Sequence, residues 1–548
     1  MNGTVPRATL IVAGMLLALA WFGTLDHRKL VRPDEGRYGE IPREMVASGD
    51  WLTPRLNGLK YFEKPPLQYW ATAAAFSAFG VSEWGTRLWS ALCGFGGVLL
   101  AFFVGRRVYG EAAGLRAAAV LAGCAMFAFM SQVATLDMGV SAFLSLSVFA
   151  TLLAQRDETQ ERERRTWMLF AWASMALAVL SKGLIGVVLP AGTILLYALW
   201  QRDLTLPRRL HLVPGAVLFL ALTAPWFIAV SAANPEFARF FFVHEHFERF
   251  LTQQHNRPGP AWYFVPVLLL GVMPWVLSLG TGLRQAARAE PGLRFRPSRF
   301  LLVWCATVFG FFSLSGSKLP AYILPMFPAL ALLIGARLVT ASRALLVAQA
   351  GLAALSGIAV LAFVAPDAPP AWIRSAAQQY AAYRPWLAAA GLMLALLGVA
   401  AAWFAWRGRN IASVLALAAG AFAFTQLTLL GHESLSPIYS AYDVVAKARS
   451  GLPADARFYA VNQYDHTLPF YLRRTVTMVA QAEELRVPAG WEPEKFIPDL
   501  GAFAAAWQRE GAACAAFAPA EFEGIRAAHG LDAKVLAAGA RYLIACKP

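Results

Sequence analysis

The sequence predicts a polytopic α-helical membrane protein of about thirteen transmembrane helices, followed by a C-terminal soluble α/β domain. Three observations carry that prediction. Hydrophobic residues fill 58% of the 548 positions and charged residues only 15%, against roughly 45–50% and about 25% in soluble domains. Apolar runs close to the ~20 residues that cross a bilayer recur along the whole chain, and the mean hydropathy is +0.50. Near Ser434 the pattern changes to short alternating stretches. Disorder, a fibre and an ordinary soluble globule are excluded.

The apolar runs lie at 8–25, 84–105, 112–131, 138–155, 166–181, 183–201 and 211–232, then at 261–280, 299–315, 320–337, 343–365, 385–406 and 411–431. The first follows Arg7 and runs into Asp26 without a small-residue cleavage site, so it reads as a retained helix. Alternate loops carry the basic residues: Arg106, Arg107 and Arg116; Arg162, Arg164 and Arg165; Arg202, Arg208 and Arg209; Arg284 to Arg299; Arg337 and Arg343; Arg407 and Arg409. By the positive-inside rule that face is cytoplasmic. Topology thus accounts for most of the net charge of +15, and nucleic acid is not the expected partner. The opposite face receives the loop 26–83, Asp137, Lys182, the segment 233–260, Ser315 to Leu319, the segment 366–384 and everything beyond residue 431.

Two domains follow: residues 1–431 in the membrane, with loop 26–83 outside it, and an exported α/β domain at 432–548. Within the latter, 457–461, 475–479, 512–517 and 541–545 alternate as strands do, while 439–450, 494–509 and 519–528 have helical spacing. Cys514 and Cys546 fall on two of the strands. In an oxidising compartment they form either a disulfide or two buried thiols.

The first external loop is the densest unusual sequence. Arg28, Lys29, Arg32, Arg37, Arg43, Arg55, Lys60 and Lys64 all lie there, against the charge bias of the other loops. A loop long enough to escape that bias is one explanation. The other comes from Arg37, Tyr38, Ile41, Met45 and Val46, and from Leu67, Trp70, Ala71, Ala74, Ala75 and Phe76, whose spacing predicts two interfacial amphipathic helices. Pro42 must start or kink the first of them. Cations and tyrosines beside a bilayer suit a ligand with a lipid tail and a phosphate head. Asp34 and Glu35 sit among these cations, where a carboxylate can orient or deprotonate an attacking group.

The run Pro33-Asp34-Glu35-Gly36-Arg37-Tyr38-Gly39-Glu40-Ile41-Pro42-Arg43-Glu44-Met45, with Ser48 to Trp51, Gly58-Leu59, Tyr61 to Pro65 and Tyr69-Trp70, resembles the bacterial aminoarabinose transferases. Ser181-Lys182-Gly183, Phe241 to Phe250 and Lys318 to Pro325 extend the likeness across most of the membrane part. These enzymes are C-type glycosyltransferases, together with protein O-mannosyltransferases and oligosaccharyltransferases. The Lys64-Pro65-Pro66-Leu67 form is also similar to a broader group of polyprenyl-phosphate-sugar transferases. The resemblance implies a C-type fold and a sugar taken from undecaprenyl phosphate, transferred with inversion to lipid A by a monomer in the bacterial inner membrane. It also implies an active site and C-terminal domain facing the periplasm. The added amino sugar would weaken binding of cationic peptides such as polymyxin.

The absence of an Asp-x-Asp pair and of a Walker A loop agrees with a donor that is not a nucleotide sugar. The resemblance makes Asp34 the catalytic candidate. Asp137, at the external boundary, is either a second acid of the site or the N-cap of the helix after it. Arg37, Lys64 and Arg249, with Tyr61 and Tyr322 as hydroxyl donors and Tyr38 and Lys318 nearby, are the candidates for the departing phosphate. Lys and Arg also snorkel to headgroups without any substrate. His244-Glu245-His246 is not a zinc helix signature, so a divalent ion such as zinc would need His244 with an acid from elsewhere, Glu63. These are otherwise interfacial polar residues without metal. Two other functions fit the composition: transfer to protein or another glycan, and a lipid or solute transporter. A transporter should carry ionisable groups near the bilayer midplane and repeated halves, and neither is apparent.

Overall fold

The computed structural model describes residues 7–203, 205–248, 259–288, 290, 292–366 and 376–548. In chain order the membrane part contains α1 (Arg7–Phe22), α2 (Asp34–Ser48), the hairpin β1 (Arg55–Leu56) and β2 (Leu59–Lys60), α3 (Leu67–Phe79), α4 (Glu83–Tyr109), α5 (Glu111–Gly123), α6 (Ala125–Met130) and α7 (Leu136–Gln155). It continues with α8 (Glu161–Lys182), α9 (Ile185–Gln201), α10 (Leu212–Ala233), α11 (Phe264–Gly271), α12 (Val276–Ala287), α13 (Pro297–Leu314), α14 (Phe327–Val339), α15 (Arg343–Val364), α16 (Ala377–Trp406) and α17 (Asn410–Gly431). Among the described residues, eight helical stretches are long and apolar enough to cross a membrane, or nine with α11 and α12 taken as one span bent by 108°. Pro274 lies in that bend and cannot donate the backbone hydrogen bond a continuous helix needs. The other expected spans are helical but fall outside that set: α1 has 16 residues and α9 has 17, α5 and α6 divide at Cys124, and α8, with 22 residues, opens on the charged run Glu161 to Arg165.

The tail adds α18 (Tyr442–Ala448), β3 (Arg457–Val461), α19 (Thr467–Leu472), β4 (Thr477–Val479), α20 (Arg486–Trp491), β5 (Phe496–Ile497), α21 (Leu500–Arg509), β6 (Ala513–Phe517), α22 (Phe522–His529), β7 (Lys534–Ala538) and β8 (Leu543–Cys546). Its sheet runs β5-β4-β3-β6-β8-β7, with β5, β4, β3 and β6 parallel and β8 antiparallel to both neighbours. Cys514 and Cys546 are cross-strand partners on β6 and β8, and a disulfide joins them.

The period-two pattern sorts the strands onto two cores. Tyr459, Val461, Ala515 and Phe517 pack beneath Phe503, Trp507 and Phe522 of α21 and α22. Phe458, Ala460, Met478, Ala516 and Ile544 face the other way and form one cluster with Leu30, Tyr38, Ile41, Met45 and Leu56 of the first loop. The loop and the tail thus fold around a shared apolar layer.

That layer changes the nature of α2. An interfacial helix is covered on one face only, but α2 is buried continuously from Glu35 to Met45, so it is an internal helix beneath the α/β domain. Pro42 neither begins nor ends it. A Cβ at Gly36 would lie 2.6 Å from the His466 backbone, so only glycine permits this approach. The hairpin turn Asn57-Gly58 has both φ angles positive, 58° and 80°, as a two-residue primed turn requires. The Asn57 side chain donates to Val476 O at 2.9 Å and accepts from Val476 N at 2.7 Å, which ties the hairpin to the tail.

At the centre of this assembly Arg87 of α4 and Glu35 of α2 form a buried bidentate ion pair, Nε to Oε1 at 2.7 Å and Nη2 to Oε2 at 2.8 Å. Burial opposes ionisation of Glu35, but Arg87, Arg28 and the Ala134 N–H outweigh it and hold the carboxyl down at about 2. Glu35→Ala, which leaves the guanidinium buried and unpaired, is expected to cost about 3–5 kcal/mol in thermal unfolding in detergent. Because folding lowers this carboxyl from 4.5 to about 2, its contribution is complete above the unfolded value. It should be lost as pH falls through the folded one, so wild type should lose more stability than Glu35→Ala between those two pH values.

Candidate active site

The first turn of α2 separates two adjacent acids. Glu35 points inward to Arg87, whereas Asp34 has a side chain 52% exposed and accepts from Arg37 Nη1 at 2.8 Å. Arg37 itself is nearly buried. Its Nε donates to Glu484 Oε1 at 2.8 Å and its Nη2 to Glu484 Oε2. Arg37 therefore bridges an acid of α2 and an acid of the tail, and does not line the cavity expected to hold a phosphate.

Most other loop cations are likewise paired with acids of the chain: Lys29 with Glu83, Arg43 with Glu40, Arg55 with Glu492 and Lys60 with Glu236. The excess of cations in the first loop is thus largely the charge that fastens it to its neighbours. Glu44 differs. Burial and nearby Glu40 push its carboxyl well above the usual range, and it accepts the Asn57 and Gly58 N–H groups at 2.6 and 2.8 Å.

A cavity of about 170 Å³ gathers Glu63, Lys64, Asp137, Lys182, Phe312, Ser315 and Tyr322, with others, from four parts of the chain. Asp137, in the first turn of α7, forms an ion pair with Lys182 at the end of α8. The Lys182 ammonium also lies 5.0 Å from the Tyr322 ring centre. Asp137 is thus engaged by a cation in the cavity, and no side-chain cap is formed before α7. Lys64 Nζ donates to Glu63 O at 2.7 Å, and Lys318 Nζ to Ser315 O at 2.5 Å.

Tyr38 and Tyr69 stack with ring centres 6.2 Å apart. Burial pushes the phenols of Tyr38, Tyr61 and Tyr69 up, so all three remain protonated donors at neutral pH. The charges of both Asp34 and Asp137 act on Tyr38, so both acids lie within electrostatic reach of this aromatic group. The hydroxyls of Tyr61 and Tyr69 are buried with no hydrogen-bond partner among the described residues. An apolar cleft of about 750 Å³ lies alongside, lined by Trp51, Leu67, Trp70, Trp89 and Trp226.

The structure therefore brings Glu63, Lys64, Asp137 and Tyr322 together, with Lys318 adjacent, and puts Asp34, Arg37 and Tyr38 in a neighbouring group. Arg249 and the side chain of His244 lie outside the described residues. No group of three metal-ligating side chains occurs among the described residues. The two carboxylates of the cavity share it with Lys64 and Lys182, which supply the counter-charge. Sequence reasoning missed Lys182 as a site residue, although a lone cation ending an apolar run was a usable signal. It missed Glu484 and His466 because nothing local marks them.

Residues 8–241 match the dolichyl-phosphate-mannose-protein mannosyltransferase family and residues 444–547 the aminoarabinose transferase C-terminal domain. The crystal structure of ArnT from Cupriavidus metallidurans bound to undecaprenyl phosphate is 37% identical, with a TM-score of 0.91 over 99% of this chain and 98% of that one. The chain belongs to the aminoarabinose transferase family. Among curated members, an undecaprenyl phosphate-alpha-4-amino-4-deoxy-L-arabinose arabinosyl transferase from Pseudomonas fluorescens is 35% identical over 62% of this chain and 57% of its own length. One from Pseudomonas aeruginosa is 35% identical over 61% and 60%. In both, the aligned stretch spans less than two thirds of the relative. An oligosaccharyltransferase from Archaeoglobus fulgidus, 13% identical with a TM-score of 0.50 over 86% of this chain and 63% of that one, shares the fold, as the C-type class implies.

In this family member Lys182→Met would leave Asp137 without its cation. Both side chains keep about 15% exposure, so the expected cost is on the order of 2 kcal/mol, between the limits for surface and fully buried pairs. Thermal unfolding of Lys182→Met, Asp137→Asn and the double variant checks it: the double should cost less than the sum of the singles.

Proposed function

We propose that this protein is an integral membrane glycosyltransferase that moves 4-amino-4-deoxy-L-arabinose from undecaprenyl phosphate to a phosphate of lipid A, with inversion at the anomeric carbon. The observation that carries the reading is the cavity in which lysines, carboxylates and Tyr322 converge, in a chain that superposes over nearly its full length on a structure with undecaprenyl phosphate bound. The activity by which the curated relatives are named supports the donor. The lipid A acceptor rests on family resemblance.

Transfer forms a bond from an acceptor phosphate oxygen to the anomeric carbon and breaks the bond from that carbon to the donor phosphate, which departs as undecaprenyl phosphate. Negative charge grows on the departing group, so fixed cations and donors aimed at it lower the barrier. We assign that task to Lys64, Lys182 and Lys318, with Arg249 and the hydroxyls of Tyr61 and Tyr322. The acceptor phosphate is already an anion and needs no base. Asp34 therefore steers, attracting the protonated amino group of the sugar and holding the ring for in-line attack. Asp137 keeps Lys182 in place, and no step requires a metal. The apolar cleft along Trp51, Trp70 and Trp226 suits the polyprenyl tail.

The enzyme would work as a monomer in the bacterial inner membrane, with its arginine-rich loops in the cytoplasm and its site at the periplasmic face. Adding an amino sugar to lipid A cancels negative charge and weakens attraction of cationic peptides.

The test is transfer between the two purified lipids, read by mass spectrometry, for wild type and Asp34→Asn. The expected result is transfer by wild type and a rate about 100-fold lower in the variant, the scale of a lost positioning contact. No transfer by folded wild type overturns the reading, and a fully active variant moves the catalytic role to Asp137.

A further inference from the structure

Asp34, on the reading just given, acts on the substrate, yet its orientation is set from the far end of the chain. Its partner Arg37 spends two of its N–H directions on Glu484, 447 residues later, and reaches Asp34 only through Nη1. Glu484 is fixed in turn by His466, whose Nε2 lies 2.9 Å from Glu484 Oε1. His466 is 2% exposed, and its backbone abuts Gly36, so α2 and this segment hold one another in register. Burial opposes charge on Glu484, but His466 and Arg37 hold its carboxyl below the usual carboxylate range.

A guanidinium is a rigid fork. With Nε and Nη2 held on Glu484, the plane of the fork is fixed, and it reaches Asp34 by the single bond from Nη1. One bond fixes the direction of the carboxylate and leaves its other oxygen open to substrate. Without Glu484, the fork could swing its full edge onto Asp34 and cover both oxygens. A surface salt bridge between domains would need none of this, and the burial of Arg37 and His466 marks the pair as more than surface polarity.

We infer that Glu484, in the exported α/β domain, is a positioning residue for the transfer reaction: it holds Arg37 so that Asp34 presents one free carboxylate oxygen to the substrate. The inference rests on the proposed role of Asp34. It gives the α/β domain a part in catalysis without contact with substrate.

The experiment measures kcat, donor KM and Tm of the full-length protein for Glu484→Gln, Arg37→Gln, the double variant and Arg37→Lys. Glu484→Gln is expected to lower kcat ~10–100-fold, the scale of a small misplacement of a reacting group. Donor KM should change less than about twofold, since the phosphate-binding lysines are untouched. The double variant should be no slower than Arg37→Gln alone, because Glu484 acts only through Arg37. If Glu484→Gln does not fold, Arg37→Lys decides: it keeps the charge but loses the fork, and its kcat should fall with KM unchanged. Wild-type kcat in Glu484→Gln, or in Arg37→Lys where that variant decides, overturns the inference and leaves the transfer reaction standing. So does a further loss when Glu484→Gln is added to Arg37→Gln, or a fall in activity that only tracks Tm. No transfer by folded wild type overturns the reaction and this inference with it.

Discussion

The buried ion pair between Glu35 and Arg87 is the constraint on which the external face depends. Arg87 is fully buried, and it gives its remaining N–H groups to the carbonyls of Leu25, Arg28 and Lys29. Glu35 also accepts from the N–H groups of Val31 and Ala134. One pair therefore gathers the start of the first loop, the external end of α4 and the turn before α7. Asp34 is the residue before Glu35, and Asp137 follows Ala134 by three. The spacing of the two candidate acids is set by a contact in which neither takes part. Charges this deep cost much to bury singly, so the pair stands only because every lone pair and proton around it is used.

The second constraint is the apolar layer shared by the first loop and the tail. A sheet with both faces apolar needs two covers. α21 and α22 provide one, and α2 with the hairpin provides the other. The α/β domain is thus a cover over the loop, held by Asn57 against Val476 and by the ion pairs from Arg37 and Arg55. Arg37, which the sequence offers for a phosphate, is consumed in this attachment, whereas Lys64 lies in the cavity with Lys182.

Several features were legible in the chain. The apolar runs located the helices, and period-two alternation located β3, β6 and β8 to within two residues at either end. The interfacial assignment of α2 failed because a helix with Arg37, Tyr38, Ile41 and Met45 on one stripe looks the same whether a bilayer or a folded domain covers it. The two-residue strand β5 and the bulged edge strand β7 were too weak to read.

By itself the sequence determined the class of protein, the apolar segments, the change to a strand-bearing tail and the residue types available for chemistry. These depend on hydropathy, charge bias and local period, which act within about twenty residues. The tertiary structure alone decided which of two adjacent acids is buried, which lysine meets Asp137, that Cys514 faces Cys546, and that Arg37 belongs to Glu484. Those choices join residues tens to hundreds of positions apart. They are made when burial strips water from a charge or a strand edge and the nearest complementary group must replace it.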